Sequence, residues 1–421
     1  MPSQWRAVGL MMPFLQGQVD VGEFVFDATI PALRASVYGL ESGAVDLLIT
    51  NEQTYRLTGP HDAPTGCTAV GRPFQPPPVH WMSTQSVCVG EARLDTWNMQ
   101  WWKMPGRDKE ASWFWRRPGD RMPYRVMFMS RSPDPAVIGD YSMTYFPTFA
   151  PLQQTNLAEL RKFCTARVPD HSVGRAGMGR TARAMMVASD ESAEAQRLQR
   201  IGTLVPGLTH SACARMKKVE WPEQFVMTAI ISPTSFSEEP NSSLIYYDWK
   251  TTKTQLALMY QGRPPQLKGL VSLKNGVGYR VMRNPAGGGM CEAVFPGIVR
   301  PNWMAAANCA CKGVIDRHDT LSPNRVTQIL SCPIRNQGER IMWNWYTTEG
   351  RPIMFAEAGA EIGGVTLADY HDWLPGQSVP PKDFELPHAC FPSGNVMHAP
   401  RPGTTFSDPS CSDCHTTEPP R

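Results

Sequence analysis

The chain closes on SDPSCSDCHTTEPPR, in which Cys411, Cys414 and His415 spell C-x-x-C-H. That spacing suits c-type haem, with two thiols for the vinyl groups and an adjacent imidazole for the iron. A composition like this one produces about 0.006 such matches by chance. A sixth iron ligand would come from Met397, His398 or His388. Haem also needs an apolar pocket. The stretch before the motif, MHAPRPGTTFSDPS, is rich in Pro, Ser and Thr and does not read as helix. The preferred reading is therefore that the tail cysteines form structural disulfides, with no cofactor. Haem c is the alternative. Zinc held by His388, Cys390, Cys411 and Cys414 ranks third, because its ligand spacing is irregular.

Other chemistry is sparse. The chain contains no G-x-S-x-G elbow, no H-E-x-x-H and no phosphate loop. The glycines of GRAGMGR (174–180) are in the wrong order and context for a dinucleotide loop. The nine histidines are scattered. No catalytic residue is assigned, and a non-enzymatic protein is expected.

The elements that would position any site begin with composition. The chain has 421 residues, 42% of them apolar, with 13 Trp and a net charge of +3. That is enough for two or three domains with real cores. No run of Lys and Arg would track a phosphate backbone, which argues against nucleic acid as a partner. No apolar run is long enough to cross a bilayer as a helix. The stretch AVGLMMPFL (7–15) reads either as a buried strand or as a poor signal-peptide core. Eleven cysteines point to an oxidising compartment, secreted, lumenal or periplasmic. The sequon Asn241-Ser242-Ser243 agrees with secretion.

Comparing the chain with itself predicts a duplication. EFVFDATI (23–30) resembles QFVMTAII (224–231), and Cys67-x-Ala-Val resembles Cys291-x-Ala-Val. Trp113-Phe-Trp115, Phe128, Asp140-Tyr141 and Pro147 line up with Trp343-Asn-Trp345, Phe355, Asp369-Tyr370 and Pro375. Cys164 and Cys390 then close the two copies. The repeated Asp-Tyr pairs suit a structural role, since an active site seldom occurs twice. Within each copy the pattern is β. Residues 44–59 read as a hairpin around Asn51-Glu52-Gln53, and residues 242–262 as its counterpart. Between the copies, 155–163 and 189–201 read as helices, the second with Ser189 as N-cap.

Equivalent cysteines should play equivalent parts. Spacing suggests one bridge within each copy, Cys67 to Cys88 and Cys291 to Cys309 or Cys311. Cys164 would then be free to pair with Cys213, and Cys390 with Cys332 or a tail cysteine. Sequence alone does not fix the connectivity.

The module length, the internal disulfides and the ending FELPHAC (384–390) resemble the ependymin-related proteins, whose curved half-barrel is similar to that of Lol-type lipoprotein carriers. The resemblance spans about residues 20–164 and 215–392. It implies an antiparallel sheet around an apolar hollow that holds a lipid-like ligand. The expected fold is mainly β, with two tandem antiparallel curved-sheet (half-barrel) modules and a short helical segment between them. The expected domains are a β module over 20–164, a helical and flexible connector over 165–214, a second β module over 215–392 and a tail over 393–421. The expected partner is an apolar small molecule or lipid, or another protein. Candidate lining residues are Trp113, Trp115, Phe128, Trp343, Trp345 and Phe355, although core packing would also account for the tryptophans.

Overall fold

The structure is a computed structural model. It describes residues 2–13, 17–41, 43–71, 86–94, 97–105, 111–116, 123–129, 141–167, 191–209, 211–232, 241–261, 266–274, 277–283, 289–296, 300–315, 326–333, 341–359 and 364–377. The fold is mainly β, in two antiparallel sheets that do not close into barrels.

The first sheet has eleven strands: β1 (Gln4–Pro13), β2 (Asp20–Asp27), β3 (Ala32–Gly39), β4 (Ala44–Thr50), β5 (Thr54–Thr58), β6 (Gly66–Gly71), β7 (Val87–Leu94), β8 (Trp97–Pro105), β9 (Ala111–Arg116), β10 (Arg125–Met129) and β11 (Tyr141–Pro151). Its spatial order is β6-β5-β4-β3-β2-β1-β11-β10-β9-β8-β7. Helix α1 (Leu157–Arg167) and helix α2 (Glu191–Leu204) follow in the chain. The AVGLMMP stretch is thus the middle of the sheet, with Ala7, Val8, Leu10 and Met12 buried. The sheet begins at Gln4, earlier than the expected boundary at 20.

The second sheet has twelve strands: β12 (Leu208–Thr209), β13 (Gln224–Ser232), β14 (Asn241–Asp248), β15 (Thr254–Gln261), β16 (Gln266–Lys274), β17 (Val277–Arg283), β18 (Gly289–Pro296), β19 (Ala310–Ile315), β20 (Thr327–Pro333), β21 (Ile341–Thr347), β22 (Pro352–Gly359) and β23 (Gly364–Pro375). A single helical turn, α3 (Trp303–Ala306), lies between β18 and β19. The order is β12-β19-β20-β21-β22-β23-β13-β14-β15-β16-β17-β18.

Apart from β12 the two orders are the same. In each sheet the first long strand pairs with the last at the centre, and the hairpins run outward from there. The detail repeats too. Gln4 Nε2 donates to Asp27 at 2.8 Å, and Gln224 Nε2 donates to Asp248 at 3.1 Å. Each aspartate also caps the following turn, accepting from the backbone N–H of Thr29 or of Thr251. The central pair carries a bulge in both sheets, between Val8 and Leu10 and between Met227 and Ala229.

This register corrects part of the sequence alignment. QFVMTAII lies on β13, whose equivalent is β1, not the β2 that holds EFVFD. The 242–262 hairpin corresponds to β2–β3, not to β4–β5. Pro375 matches Pro151, which faces Trp5 as Pro375 faces Phe225. Asp369-Tyr370 matches Tyr145-Phe146, and Phe355 matches Val126. The alignment slipped because aromatic and β-branched residues recur on every strand, so short matches arise between non-equivalent strands. Two landmarks agree with the register. Tyr55 pairs with Ala69 and Leu57 with Cys67, while Tyr279 pairs with Ala293 and Val281 with Cys291. The Trp-x-Trp segments fall on β9 and β21, which are also equivalent.

Candidate functional site

The order of the strands decides the disulfides. β6 and β7 are consecutive in the chain but form opposite edges of the first sheet, ten strand spacings or roughly 48 Å apart along it. Cys67 on β6 therefore does not bridge to Cys88 on β7. It pairs with Cys164, at a Cα separation of 5.3 Å. Leu157, Leu160 and Cys164 form the buried stripe of α1 at helical spacing, packed with Ala32, Leu48, Tyr55 and Leu57 of the sheet. Cys88 is exposed. The same geometry separates Cys291 on β18 from Cys309 and Cys311 at β19, and Cys309 bridges to Cys332 on the neighbouring β20. Cys213 and Cys311 are disulfide-bonded as well. The side chain of Cys291 lies outside the described residues, as do His388, Cys390, Met397, His398, Cys411, Cys414 and His415.

Residues directly opposite each other on neighbouring strands share a face of the sheet. On one face of the first sheet the central strands carry Arg6, Glu23, Arg34, Ser36, Tyr38 and Asp46. Glu23 and Arg34 are buried, Asp46 is partly buried and Arg6 is exposed, and the charges are closely joined. Arg6 donates to Glu23 at 2.7 Å, and Arg200 from α2 donates to it at 2.6 Å. His61 Nε2 is 3.4 Å from the same carboxylate. Arg34 pairs with Asp46, which also accepts from Ser36 at 2.8 Å. Burial alone would push the Glu23 carboxyl up. The hydrogen bonds and charges of Arg200 and Arg6 outweigh it and hold the carboxyl below the usual glutamate range. Arg197 of α2 donates to the Gly39 carbonyl, so the helix is fastened to this face at two points.

On the equivalent face of the second sheet, the same register positions read differently. Arg6 becomes Val226, Glu23 becomes Leu244, Arg34 becomes Leu256, Ser36 becomes Leu258 and Asp46 becomes Leu270, while Tyr38 is kept as Tyr260. Val226 and Leu256 are buried, and half-buried Leu244, Tyr246 and Leu258 pack against them. A cavity of about 410 Å3 opens beside this cluster. Ala229, Ile230, Leu244 and Tyr260 form its apolar lining. Thr228, Ser242, Ser243, His371 and Asp372 supply its polar groups. The bulge in β23 brings the last two there: Thr228 Oγ1 donates to Asp372 at 2.8 Å and accepts from the Asp372 N–H at 3.1 Å. Arg351 holds the other side of the bulge, donating to the His371 carbonyl at 3.0 Å. The sequon at Asn241 thus lies on a strand beside this cavity rather than in a loop, and its Oδ1 is shut off from solvent.

The aromatic candidates occupy other places. Trp115, Trp343 and Trp345 are within the core at 1%, 0% and 1% exposure. Trp115 stacks on Trp101 at 5.5 Å and has the Arg125 guanidinium 3.9 Å from its ring centroid. Phe355 pairs with Asn344, which puts it on the opposite face from Trp343 and Trp345. There it packs with Trp221, Trp303 and Tyr346. The side chains of Trp113 and Phe128 lie outside the described residues. None of the four described candidates, Trp115, Trp343, Trp345 and Phe355, is among the residues lining this cavity. Sequence reasoning missed the residues that do, because leucine and serine on a strand carry no motif. The available signal was the loss of charge between copies, which becomes visible only once the register is known.

No protein-family model matches the chain, and no curated protein matches it in sequence. Similar solved structures include a LolA superfamily protein from Nitrosomonas europaea, at 12% identity and a TM-score of 0.24, covering 42% of this chain and 96% of that one. The Pseudomonas aeruginosa MucA/MucB complex matches at 12% identity and 0.23, over 68% and 86% of the respective chains. An uncharacterised conserved protein from Thermus thermophilus matches at 14% and 0.26, over 41% and 88%.

Proposed function

We propose that this chain is an extracytoplasmic, non-enzymatic binding protein whose second sheet holds an apolar, lipid-like small molecule. The observation that carries the reading is the cavity over Ile230, Leu244 and Tyr260, set where the duplicate sheet is filled by ion pairs. Its volume lies within the roughly 300–1,000 Å3 typical of small-molecule sites, and a mainly apolar wall with a few placed polar groups is their usual make-up. The disulfides support the compartment, since bridges of this kind persist in oxidising surroundings. The direct test is a fluorescence titration of the full chain with N-phenyl-1-naphthylamine. Saturable enhancement is expected, with Leu258→Asp weakening it at least tenfold. A linear, unsaturable response from the native protein would sink the reading.

A further inference from the structure

We infer that the cavity of the second sheet selects an amphiphile whose head is cationic or donates hydrogen bonds, and discriminates against an anionic head on the same apolar chain. The inference rests on the proposed function and adds the chemistry of the ligand's polar end. One side of the cavity is apolar, formed by Ile230 and Leu244 and continuous with the cluster around Leu256 and Leu258. The other side is the β23 bulge, where Asp372 faces the opening. Asp372 is exposed, and its position is fixed by the two-way hydrogen bonding with Thr228. Ser242 and Tyr260 add hydroxyls opposite. No lysine or arginine lines this cavity among the described residues. Arg351, which holds the bulge, is engaged on the His371 carbonyl and is not part of the lining.

The physical consequence is a site with one fixed negative charge, from Asp372, among hydroxyls and the His371 ring that can both donate and accept, so the carboxylate charge is what separates one head from another. A carboxylate or phosphate head would meet Asp372 as a like charge at the mouth of the open hollow. An ammonium or hydroxyl head would find acceptors there. A chain held along Ile230 and Leu244 with its head at the bulge satisfies both ends at once. The first sheet cannot offer the same arrangement. Thr148 stands at the register position of Asp372, and Glu23, at the position of Leu244, is already engaged by Arg6 and Arg200.

The experiment is displacement of N-phenyl-1-naphthylamine from the full-length, oxidised protein by dodecylamine, dodecanol and dodecanoate, each below its micelle concentration. The amine is expected to displace the probe at a concentration at least tenfold lower than the carboxylate, with the alcohol between them. Asp372→Asn should shrink the amine-to-carboxylate ratio to within about threefold, both displacements being referred to the probe affinity of that same variant. Ser242→Lys, on an exposed lining position, should turn the preference toward dodecanoate. Equal or better displacement by dodecanoate from the native protein overturns the head-group inference and leaves the cavity as a binding site. An unchanged ranking in both variants overturns it as well. If the probe itself fails to bind the native protein, the proposed function falls and the inference falls with it.

Discussion

The two sheets share a backbone plan and differ in what they put on one face of it. Both place the first long strand against the last, both cross a glutamine to an aspartate at the start of the first hairpin, and both bulge at the centre. In the first sheet that face carries a network of ion pairs around the buried Glu23 and Arg34, and α2 is fastened to it by Arg197 and Arg200. In the second the corresponding residues are valine and leucine, which pack as an apolar cluster beside a cavity. The difference shows what a duplicated sheet must keep. Register is fixed by backbone pairing and turn chemistry, so the aspartates at the turns persist. The face residues can change together, provided that each charge leaves with its partner.

Disulfide removal gives the largest expected losses, and they differ between the units. The Cys67–Cys164 bond spans 97 residues and the Cys309–Cys332 bond 23. In the chain-entropy model these lengths correspond to about 4.7 and about 3.4 kcal/mol. Urea denaturation of the two paired Cys→Ser variants should therefore show the larger loss for the first unit. A larger loss from the second pair would show that local packing, and not loop length, sets these bonds' contributions. The comparison sharpens further at Cys291, which occupies the register position of Cys67. Cys164 follows Pro151 by 13 residues and Cys390 follows Pro375 by 15. Peptide mapping of the oxidised chain should join Cys291 to Cys390. A Cys291 found joined to any other cysteine would break the equivalence of the two copies at this point.

Exchanging one residue between the faces should come next in size. Glu23→Leu installs the residue of the second sheet but strands Arg6 and Arg200 beside a carboxylate that is gone. Arg6 stays solvated, while the partly buried Arg200 loses its acceptor, so the change costs about 2–3 kcal/mol. The reverse change, Leu244→Glu, puts an unpaired carboxylate on a half-buried position and should cost less, about 1–2 kcal/mol, while abolishing probe binding. Equal costs in both directions would mean that the charge network of the first sheet is no more than a solvated surface cluster.

The fold class was legible because period-two apolar patterning, turn residues and the cysteine count all pointed the same way. Cys67-x-Ala-Val and Trp113-x-Trp115 were sound anchors, since each combines a rare residue with a fixed strand position. The site was not legible. Arg6, Glu23, Arg34 and Asp46 are scattered over forty residues of sequence, and nothing local marks them as one buried cluster. Only strand pairing brings them together. The hairpin at Asn51–Gln53 formed as expected, with Thr50 Oγ1 bonding the turn backbone. Its assigned partner was wrong because a short polar turn between two apolar runs describes most hairpins in this chain. The disulfide pairing failed for a similar reason. Proximity in sequence was read as proximity in space, whereas β6 and β7 are neighbours in the chain and opposite edges of the sheet.

The smallest effect isolates a single carboxyl. Asp20 starts β2 with only 5% exposure, and Oδ1 has no hydrogen-bond partner. Gln18 donates to Oδ2 at 3.3 Å. Burial pushes its pKa from 3.8 to about 6, against the weaker pull of the Gln18 hydrogen bond. The folded chain therefore holds a proton between pH 3.8 and about 6 that the unfolded chain releases. This contribution to stability is fully present below pH 3.8, falls as pH rises through about 6, and is absent above. The register position of Asp20 in the second sheet is Asn241, which has no charge to bury. Asp20→Asn copies that solution. At pH 7.5 the variant should be the more stable protein by on the order of 2 kcal/mol, and by pH 4 the advantage should have shrunk to near zero. Urea midpoints across that range test it. A constant gap between the two curves would mean that Asp20 is not titrating, and that the two sheets differ here in hydrogen bonding alone.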